Sequence, residues 1–148
     1  MATLATNKRA SFDYELLERY EAGIVLAGVE VKSVRNKEVS LKESFVTLKG
    51  SELYLTNAHI SPYKFSAVKL QYDPTRPRKL LLRKSEIKSL IGIMKSRGLT
   101  LVPIRLYTRK NLIKLEFAVA QGKKQFDKRH DIAKREAKRK MERALKNF

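Results

Sequence analysis

The segment from Leu112 to Val119 alternates between two sets of side chains, and this pattern constrains the fold more than any other part of the sequence. One set is large and apolar throughout and consists of Ile113, Leu115, Phe117 and Val119. Because successive side chains of a strand point to opposite faces, the alternation predicts a β-strand with one face in a hydrophobic core.

Other parts of the chain are also typical of strands. They are the alternation at Phe12, Tyr14 and Leu16, the apolar run from Gly23 to Ala27, and the segments 45–49 and 53–56 around a turn at Gly50 and Ser51. Such short alternating or apolar runs bounded by turn residues predict β-structure and, at the turn, a hairpin. Between Leu99 and Leu106 the apolar parity changes around Pro103, which predicts a β-bulge or an edge position.

Two helices are predicted among the strands. One has apolar residues at helical spacing, namely Ile87, Leu90, Ile91 and Met94. Ser85 is expected to cap its start and Gly98 to close its end. The other, from Val29 to Asn36, has Val31 and Val34 as its interior apolar pair. Many short strands with few helices between them predict a mainly β fold, an antiparallel barrel or sandwich.

The charge of the chain points to a polyanionic partner. Its 148 residues include 33 Lys and Arg against 15 Asp and Glu, a net charge of +18. RNA, DNA and an acidic membrane surface all satisfy this excess on charge alone. Residues 122–148 hold 11 of the basic and 4 of the acidic side chains. We therefore expect a β-barrel domain over residues 1–121 and a basic tail over 122–148.

The tail has a thin apolar stripe, made of Ala133, Ala137, Met141, Leu145 and Phe148. An isolated helix that is short and buries little apolar surface is marginal in water. The composition therefore predicts a conditional tail, which forms a helix when a polyanion supplies the missing contacts.

Several function classes lack the residues they require. The chain has no cysteine, which excludes disulfides and thiolate metal sites and is consistent with a reducing cytosol. Gly23 and Gly28 have the spacing of a P-loop, but Val29 and Glu30 stand where lysine and a hydroxyl residue must hold phosphate and magnesium. We find no bilayer-spanning run and no secretory signal. We expect no catalytic residue, metal site or cofactor, and a cytoplasmic location.

A proline-punctuated loop between Ser61 and Arg78 combines cations with aromatic rings. With the start of the next strand it contains Lys64, Phe65, Lys69, Tyr72, Arg76, Arg78 and Lys79. This composition is typical of RNA-binding surfaces, where cations meet phosphates and rings stack on bases. The alternative is that Phe65 and Tyr72 anchor the loop to the core while the cations are solvated.

Six sequence blocks stand in a fixed order along the chain. They are Asn7–Ala10, Tyr20–Leu26, Gly28–Ser33, His59–Tyr63, Asp73–Leu82 and Gly122–Arg129. Together they resemble the small protein B family, the bacterial SsrA-binding proteins that partner transfer-messenger RNA. The resemblance covers the chain from about Asn7 to its end and implies an oligonucleotide-binding (OB) barrel, two or three short helices and a tail that is helical only when bound.

The resemblance also implies a function and its partners. Such a protein binds the tRNA-like domain of transfer-messenger RNA and delivers it to stalled ribosomes for trans-translation, in which incomplete proteins are tagged. The implied ribosomal contacts are the small-subunit decoding centre and the messenger channel. Elongation factor Tu is an indirect partner through the charged RNA, no membrane takes part, and the protein makes or breaks no bond.

Individual positions follow from the blocks and from the basic loop. The predicted RNA-binding residues are Asn7, Lys8, Arg9, Glu21, Arg76, Arg78, Lys79, Leu81, Lys123 and Lys124. The predicted ribosome-binding residues of the tail are Phe126, Asp127, Lys128, Arg129, Ala144 and Leu145. Glu21 could instead form a salt bridge with a neighbouring cation. Leu81 could instead face the core, because strand parity turns only one or two of Leu80 to Leu82 outward.

Two other functions are compatible with parts of the sequence. A ribosomal protein whose basic tail threads between ribosomal RNA helices would explain the charge equally well. It would stay with its subunit through a high-salt wash, whereas an adaptor would be released. An RNA-processing enzyme would need a metal or nucleophile site that we cannot assemble from the sequence.

Overall fold

Nine strands and four helices are formed by the part of the chain that the computed structural model describes, residues 2–64, 72–96, 98–122 and 125–146, with side chains in the last segment described for 132–145. The strands are β1 (Ala2–Thr6), β2 (Tyr14–Ile24), β3 (Val39–Ser40), β4 (Phe45–Lys49), β5 (Glu52–Thr56), β6 (His59–Ile60), β7 (Arg78–Leu81), β8 (Leu99–Arg109) and β9 (Leu112–Gly122). The helices are α1 (Ala10–Asp13), α2 (Gly28–Arg35), α3 (Lys84–Met94) and α4 (Gln125–Lys146).

Seven of the strands form one sheet that closes on itself. Their order is β1-β8-β4-β5-β7-β2-β9, and an additional pairing of β8 with β9 closes the six strands from β8 to β9 into a barrel, with β1 added at the edge of β8. The strand pairs of this sheet are antiparallel. β3 and β6 form a separate two-stranded sheet. The prediction of a mainly β antiparallel barrel with a few short helices is confirmed.

The core lies inside the barrel and follows the parity predicted for β9. Leu115 and Phe117 are fully buried, and Val119 is nearly so. On β8, Leu101 and Leu106 both face this core although their parity differs. The register of β8 on β9 shifts between Pro103 and Arg105, which confirms the predicted bulge.

The other face of β8 and β9 is also covered in part. Val102 and Ala120 are buried in a second, smaller cluster together with Ala10 of α1. Phe12 belongs to α1 and not to a strand, so the predicted alternation at residues 12–16 begins two residues too early. The short helix forms there because Asp13 N–H bonds back to the carbonyl of Arg9 at 2.9 Å.

The hairpin and the two interior helices were predicted, with an error at each end of α3. Its C-cap is Lys95, so Gly98 lies beyond the end that it was expected to close. β4 and β5 pair as expected around Gly50, whose φ of 65° fits a glycine at the turn. Ser85 does not cap α3, because the helix begins at Lys84 and Arg83 is its N-cap. The Arg83 N–H is bound instead by the Glu86 carboxylate at 3.2 Å.

The C-terminal tail is helical from Gln125 to Lys146, and Ile132 to Leu145 are exposed along it. Its stripe residues Met141 and Leu145 are 67% and 73% exposed. The guanidinium of Arg135 lies 5.4 Å from the ring centre of Phe12, so α4 touches the barrel beside α1. The dependence of this helix on a partner stays a prediction. Among the described residues, no helix is long and apolar enough to cross a membrane.

Candidate nucleic-acid interface

Glu21 lies on β2, and two side chains of β8 donate hydrogen bonds to it. The Tyr107 hydroxyl donates to its Oε2 atom, and Arg109 Nη1 donates to both carboxylate oxygens at 3.1 Å. The hydrogen bond from Tyr107 is the main reason that the pKa of Glu21 lies below its usual value, and the charges of Arg109 and Lys114 act in the same direction. The salt bridge considered for Glu21 therefore exists, with Arg109 as its partner. The carboxylate is still 36% exposed and can accept further bonds.

Next to Glu21 the charges alternate across three strands. Glu116 of β9 accepts hydrogen bonds from Arg19 of β2 at 2.9 Å and from Arg105 of β8 at 3.2 Å. The guanidinium of Arg105 also lies 4.5 Å from the ring centre of Tyr107. These contacts order the arginine side chains on the outer surface of the barrel, so that cations flank Glu21 in fixed positions.

Leu81 lies on the same surface, on strand β7, which pairs with β2 on the side opposite β9. Its side chain is 53% exposed, whereas Leu80 is 2% exposed and faces the core. The core alternative for Leu81 is therefore wrong. Gly23 pairs with Leu81 across β2 and β7. A side chain at Gly23 would place its Cβ only 3.3 Å from the Leu81 Cβ, so glycine leaves room for this leucine.

An open groove of about 690 Å³ joins these predicted residues. We call it the Glu21–Leu81 groove. Glu21 and Leu81 both line it, together with the cations Arg19, Arg83 and Lys114. Glu86 lines it as well, so the groove offers carboxylate acceptors, an exposed leucine and three positive charges on one surface. That combination suits RNA, where phosphates need cations and base or ribose groups can donate to a carboxylate.

Asn7, Lys8 and Arg9 lie in a different place. The Asn7 side chain donates to the Pro103 carbonyl at 2.9 Å, which fixes the chain entering α1. Arg9 pairs with Asp13 at 3.1 Å and its guanidinium lies 4.6 Å from the Phe12 ring centre. Grooves of about 390 and 410 Å³ run past these residues, and Lys42 lines both of them. The structure thus divides the predicted RNA contacts of the barrel between two separate surfaces.

Arg78 is a structural residue, and its predicted RNA contact is wrong. Its side chain is fully buried and donates to Glu30 Oε2 at 2.8 Å and to the Ala58 carbonyl at 2.7 Å. Arg76 also pairs with Glu30, but its side chain is 38% exposed. Lys79 lies 3.0 Å from Glu52 on the surface. Arg76 and Lys79 are accessible to RNA, whereas Arg78 is not, because its guanidinium has no exposed surface.

Tyr72 follows the alternative considered for the loop. Its hydroxyl donates to the Ile60 carbonyl at 2.9 Å and accepts from Arg78 Nη2 at 3.2 Å. Burial is the main reason that the pKa of this phenol is raised. Tyr72 therefore anchors the loop and is not a free stacking ring. Phe65 and Lys69 lie outside the described residues.

The predicted tail residues fall into three groups. Lys123 and Lys124 lie outside the described residues, and for Phe126, Asp127, Lys128 and Arg129 the structure places the backbone in the first turns of α4. Ala144 and Leu145 are exposed near the end of the same helix. Their assignment to the ribosome stays a prediction.

Four side chains that bind or act electrostatically on Glu21 or Arg78 were not predicted from the sequence. They are Glu30, Tyr107, Arg109 and Lys114. A local signal existed for two of them. Lys114 is the polar member of the β9 alternation, and Glu30 lies one helical turn before Val34 on the buried side of α2. The partnership of Tyr107 and Arg109 with Glu21 joins residues more than 80 positions apart, and no sequence pattern reports it.

A closed antiparallel barrel with cation-lined grooves and a basic helix extending from it defines a class of protein, the small β-barrel nucleic-acid binders. The family model described as SmpB protein matches residues 4–147 of this chain. The chain therefore belongs to the SmpB family.

Relatives and a solved structure agree with this membership. The SsrA-binding protein of Halothermothrix orenii is 51% identical over 143 residues, which cover 97% of this chain and 92% of the relative. That of Geobacillus kaustophilus is 50% identical with the same coverage. A solved structure described as "tmRNA-SmpB: a journey to the center of the bacterial ribosome" has a TM-score of 0.66 and 45% sequence identity, and the match covers 81% of this chain and 84% of that one.

Proposed function

We propose that this protein is an RNA-binding adaptor of trans-translation. It binds the tRNA-like domain of transfer-messenger RNA and delivers it to stalled ribosomes, where incomplete proteins are tagged. The observation that carries the proposal is the Glu21–Leu81 groove, which places a carboxylate, an exposed leucine and three cations on one surface in a chain that belongs to the SmpB family. The protein contributes binding and positioning, and we assign it no catalytic step.

The two parts of the chain have different tasks in this proposal. The barrel, residues 1–121, holds the RNA. The basic tail, residues 122–148, begins with the predicted RNA-binding residues Lys123 and Lys124. Beyond them it enters the decoding centre and messenger channel of the small subunit, where α4 meets ribosomal RNA. Elongation factor Tu joins through the charged RNA. Because it acts on ribosomes, the protein is cytoplasmic.

Removal of the tail is expected to spare specific RNA binding. A chain ending at Gly122 keeps all of β9, whose last residue pairs with Tyr14. Several phosphate contacts by the barrel cations should make its affinity for the tRNA-like RNA fall steeply with salt. The measurement is a salt series of dissociation constants for full-length and shortened chains, with an unrelated tRNA as control. Complete loss of specific binding in the shortened chain would show that the tail, and not the barrel, recognises the RNA.

Glu21→Ala is expected to weaken specific RNA binding by about 1 to 3 kcal/mol, although it makes the protein more positive. The reason is that a charge-assisted hydrogen bond from the RNA to the carboxylate is lost. Tyr107→Phe is the matched control, because it removes the donor that holds Glu21 and leaves the carboxylate in place. Binding isotherms and circular dichroism of the two variants check the prediction. Tighter binding by folded Glu21→Ala protein would mean that Glu21 serves only as the partner of Arg109.

The RNA that accompanies the protein from cell extract distinguishes an adaptor from a ribosomal protein. We expect one abundant structured RNA to co-purify, and we expect a high-salt wash to release the protein from ribosomes. Stoichiometric retention on the subunit after that wash would favour a ribosomal protein instead.

A further inference from the structure

Two of the most exposed large apolar side chains of the barrel meet in one groove. Leu112 is 59% exposed and Leu81 is 53% exposed. Both line an open groove of about 290 Å³, whose apolar wall includes Ile24 and Ile113. We call it the leucine groove. It continues into the Glu21–Leu81 groove, because Gly23, Leu81 and Lys114 line both.

The leucine groove is formed before any ligand binds. Lys110 and Asn111 have φ values of 50° and 64° and make the tight turn between β8 and β9 that presents Leu112. Arg35 at the end of α2 donates from Nη2 to the Asn111 carbonyl at 2.8 Å, which ties the helix to this turn. Both ends of the groove therefore have a defined position.

The charges at the edge of the groove are positive. Arg35 and Lys114 line it, and no acidic side chain does so among the residues that the structure describes. Lys114 lies close enough to Glu21 to lower the pKa of that carboxylate, so it stands between the leucine groove and the predicted RNA contact. An apolar cleft with a cationic edge is complementary to a nucleotide, whose base has an apolar face and whose phosphate is an anion.

We propose that the leucine groove holds one unpaired base of the bound RNA. Leu81 and Leu112 pack against the faces of the base, as exposed leucines do when they insert next to unstacked bases. Lys114 and Arg35 meet the flanking phosphates. This inference rests on the proposed function and adds to it Leu112, Lys114 and Arg35, which the family resemblance did not assign.

Leu112→Ser tests the apolar contact. The exposed Leu17 on β2, 51% exposed and outside the groove, gives a matched control in Leu17→Ser. With a transcribed tRNA-like domain as the probe, Leu112→Ser should bind about tenfold more weakly than the parent, with the salt dependence unchanged. Leu17→Ser should bind like the parent. Equal binding by the two serine variants would overturn the proposal.

Lys114→Ala tests the phosphate contact. It should lower the slope of log affinity against log salt by about 0.7 to 0.9, the value for one lost phosphate contact. Lys49→Ala, at an exposed lysine on β4, should leave the slope unchanged. An unchanged slope for Lys114→Ala would remove this lysine from the RNA and overturn its part in the proposal.

Abasic substitutions in the RNA identify the base itself. Each loop nucleotide of the tRNA-like domain is replaced in turn by an abasic one. We expect one position that weakens the parent about tenfold and has no further effect on Leu112→Ser, because both changes remove the same contact. The absence of such a position would overturn the proposal. Normal RNA binding by Leu112→Ser together with loss of ribosome association would also overturn it, because the groove would then be a contact with a protein. If the parent itself does not bind the RNA, the proposed function fails, and not this inference alone.

Discussion

Glu30→Gln is expected to lower the free energy of unfolding by about 3 to 5 kcal/mol. Glu30 and Arg78 are both fully buried, and Arg78 Nη2 lies 2.6 Å from Glu30 Oε2. Glutamine has nearly the same size but no charge, so the variant leaves a guanidinium in the interior without its counter-ion. Urea unfolding followed by circular dichroism measures the loss.

The control for Glu30→Gln is the same substitution at a surface pair. Glu52→Gln breaks the contact with Lys79, and because solvent screens that pair it should leave the unfolding free energy nearly unchanged. Replacing Glu30 and Arg78 together by methionine should cost less than Glu30→Gln, since no charge is then left unpaired. If Glu30→Gln and the parent unfolded at the same midpoint urea concentration, the buried pair would not stabilise the fold.

The dependence of the unfolding free energy on pH provides a second test of the same pair. Burial raises the pKa of Glu30. Hydrogen bonds from the Ala27 N–H, Arg76 and Arg78 together lower it by more than burial raises it, so the pKa lies below its usual value of 4.5. A carboxyl whose folded pKa is lowered contributes stability that is present above its unfolded pKa and is lost as pH falls through the folded one. The difference between the parent and Glu30→Gln should therefore be complete above about pH 4.5 and shrink below it.

Ala137→Pro is expected to abolish tagging of stalled chains while leaving RNA binding intact. Ala137 lies in the interior of α4. Proline there removes the bond from residue 137 to the Ala133 carbonyl and clashes with that carbonyl, at a cost of about 3 kcal/mol or more. This corresponds to a loss of about 100-fold in the helical population. Tagging is measured by translation of a message without a stop codon, with purified ribosomes and transfer-messenger RNA.

Ala137→Ser is the matched control for the tail, because serine at this exposed position costs a helix well under 1 kcal/mol. It should tag stalled chains like the parent. Both variants keep every tail cation, so charge is equal in the comparison. Normal tagging by Ala137→Pro would mean that the tail acts as a polycation and that its helix is not required.

Local patterns accounted for most of the barrel strands, although β1, Ala2–Thr6, was not predicted. The alternation that ends at Val119 recorded which face of β9 is buried, because the two-residue period of a strand is independent of what pairs with it. The parity change at Pro103 likewise marked the bulge in β8. At Phe12 the pattern failed, since four residues are too few to distinguish the start of a strand from one helical turn.

The site was determined by the sequence in part. The ordered blocks assigned Glu21 and Leu81 to RNA binding, and the structure brings both to one groove. Asn7, which the same blocks assigned to RNA binding, lies beside Pro103 in another groove. The ordered blocks indicate which residues match the family. The distance between two of those residues depends on how the barrel closes, which the blocks do not report.

Arg78 shows most clearly what only the tertiary structure decided. By sequence it is one cation in a basic loop, and its parity with Leu80 was the single sign that it faces inward. Its burial depends on Glu30, 48 residues away on α2. The sequence by itself determined most of the strands, the excess of positive charge and the family. The structure decided which charges face water, because a buried ion pair is stable only where the fold brings both partners and their hydrogen bonds together.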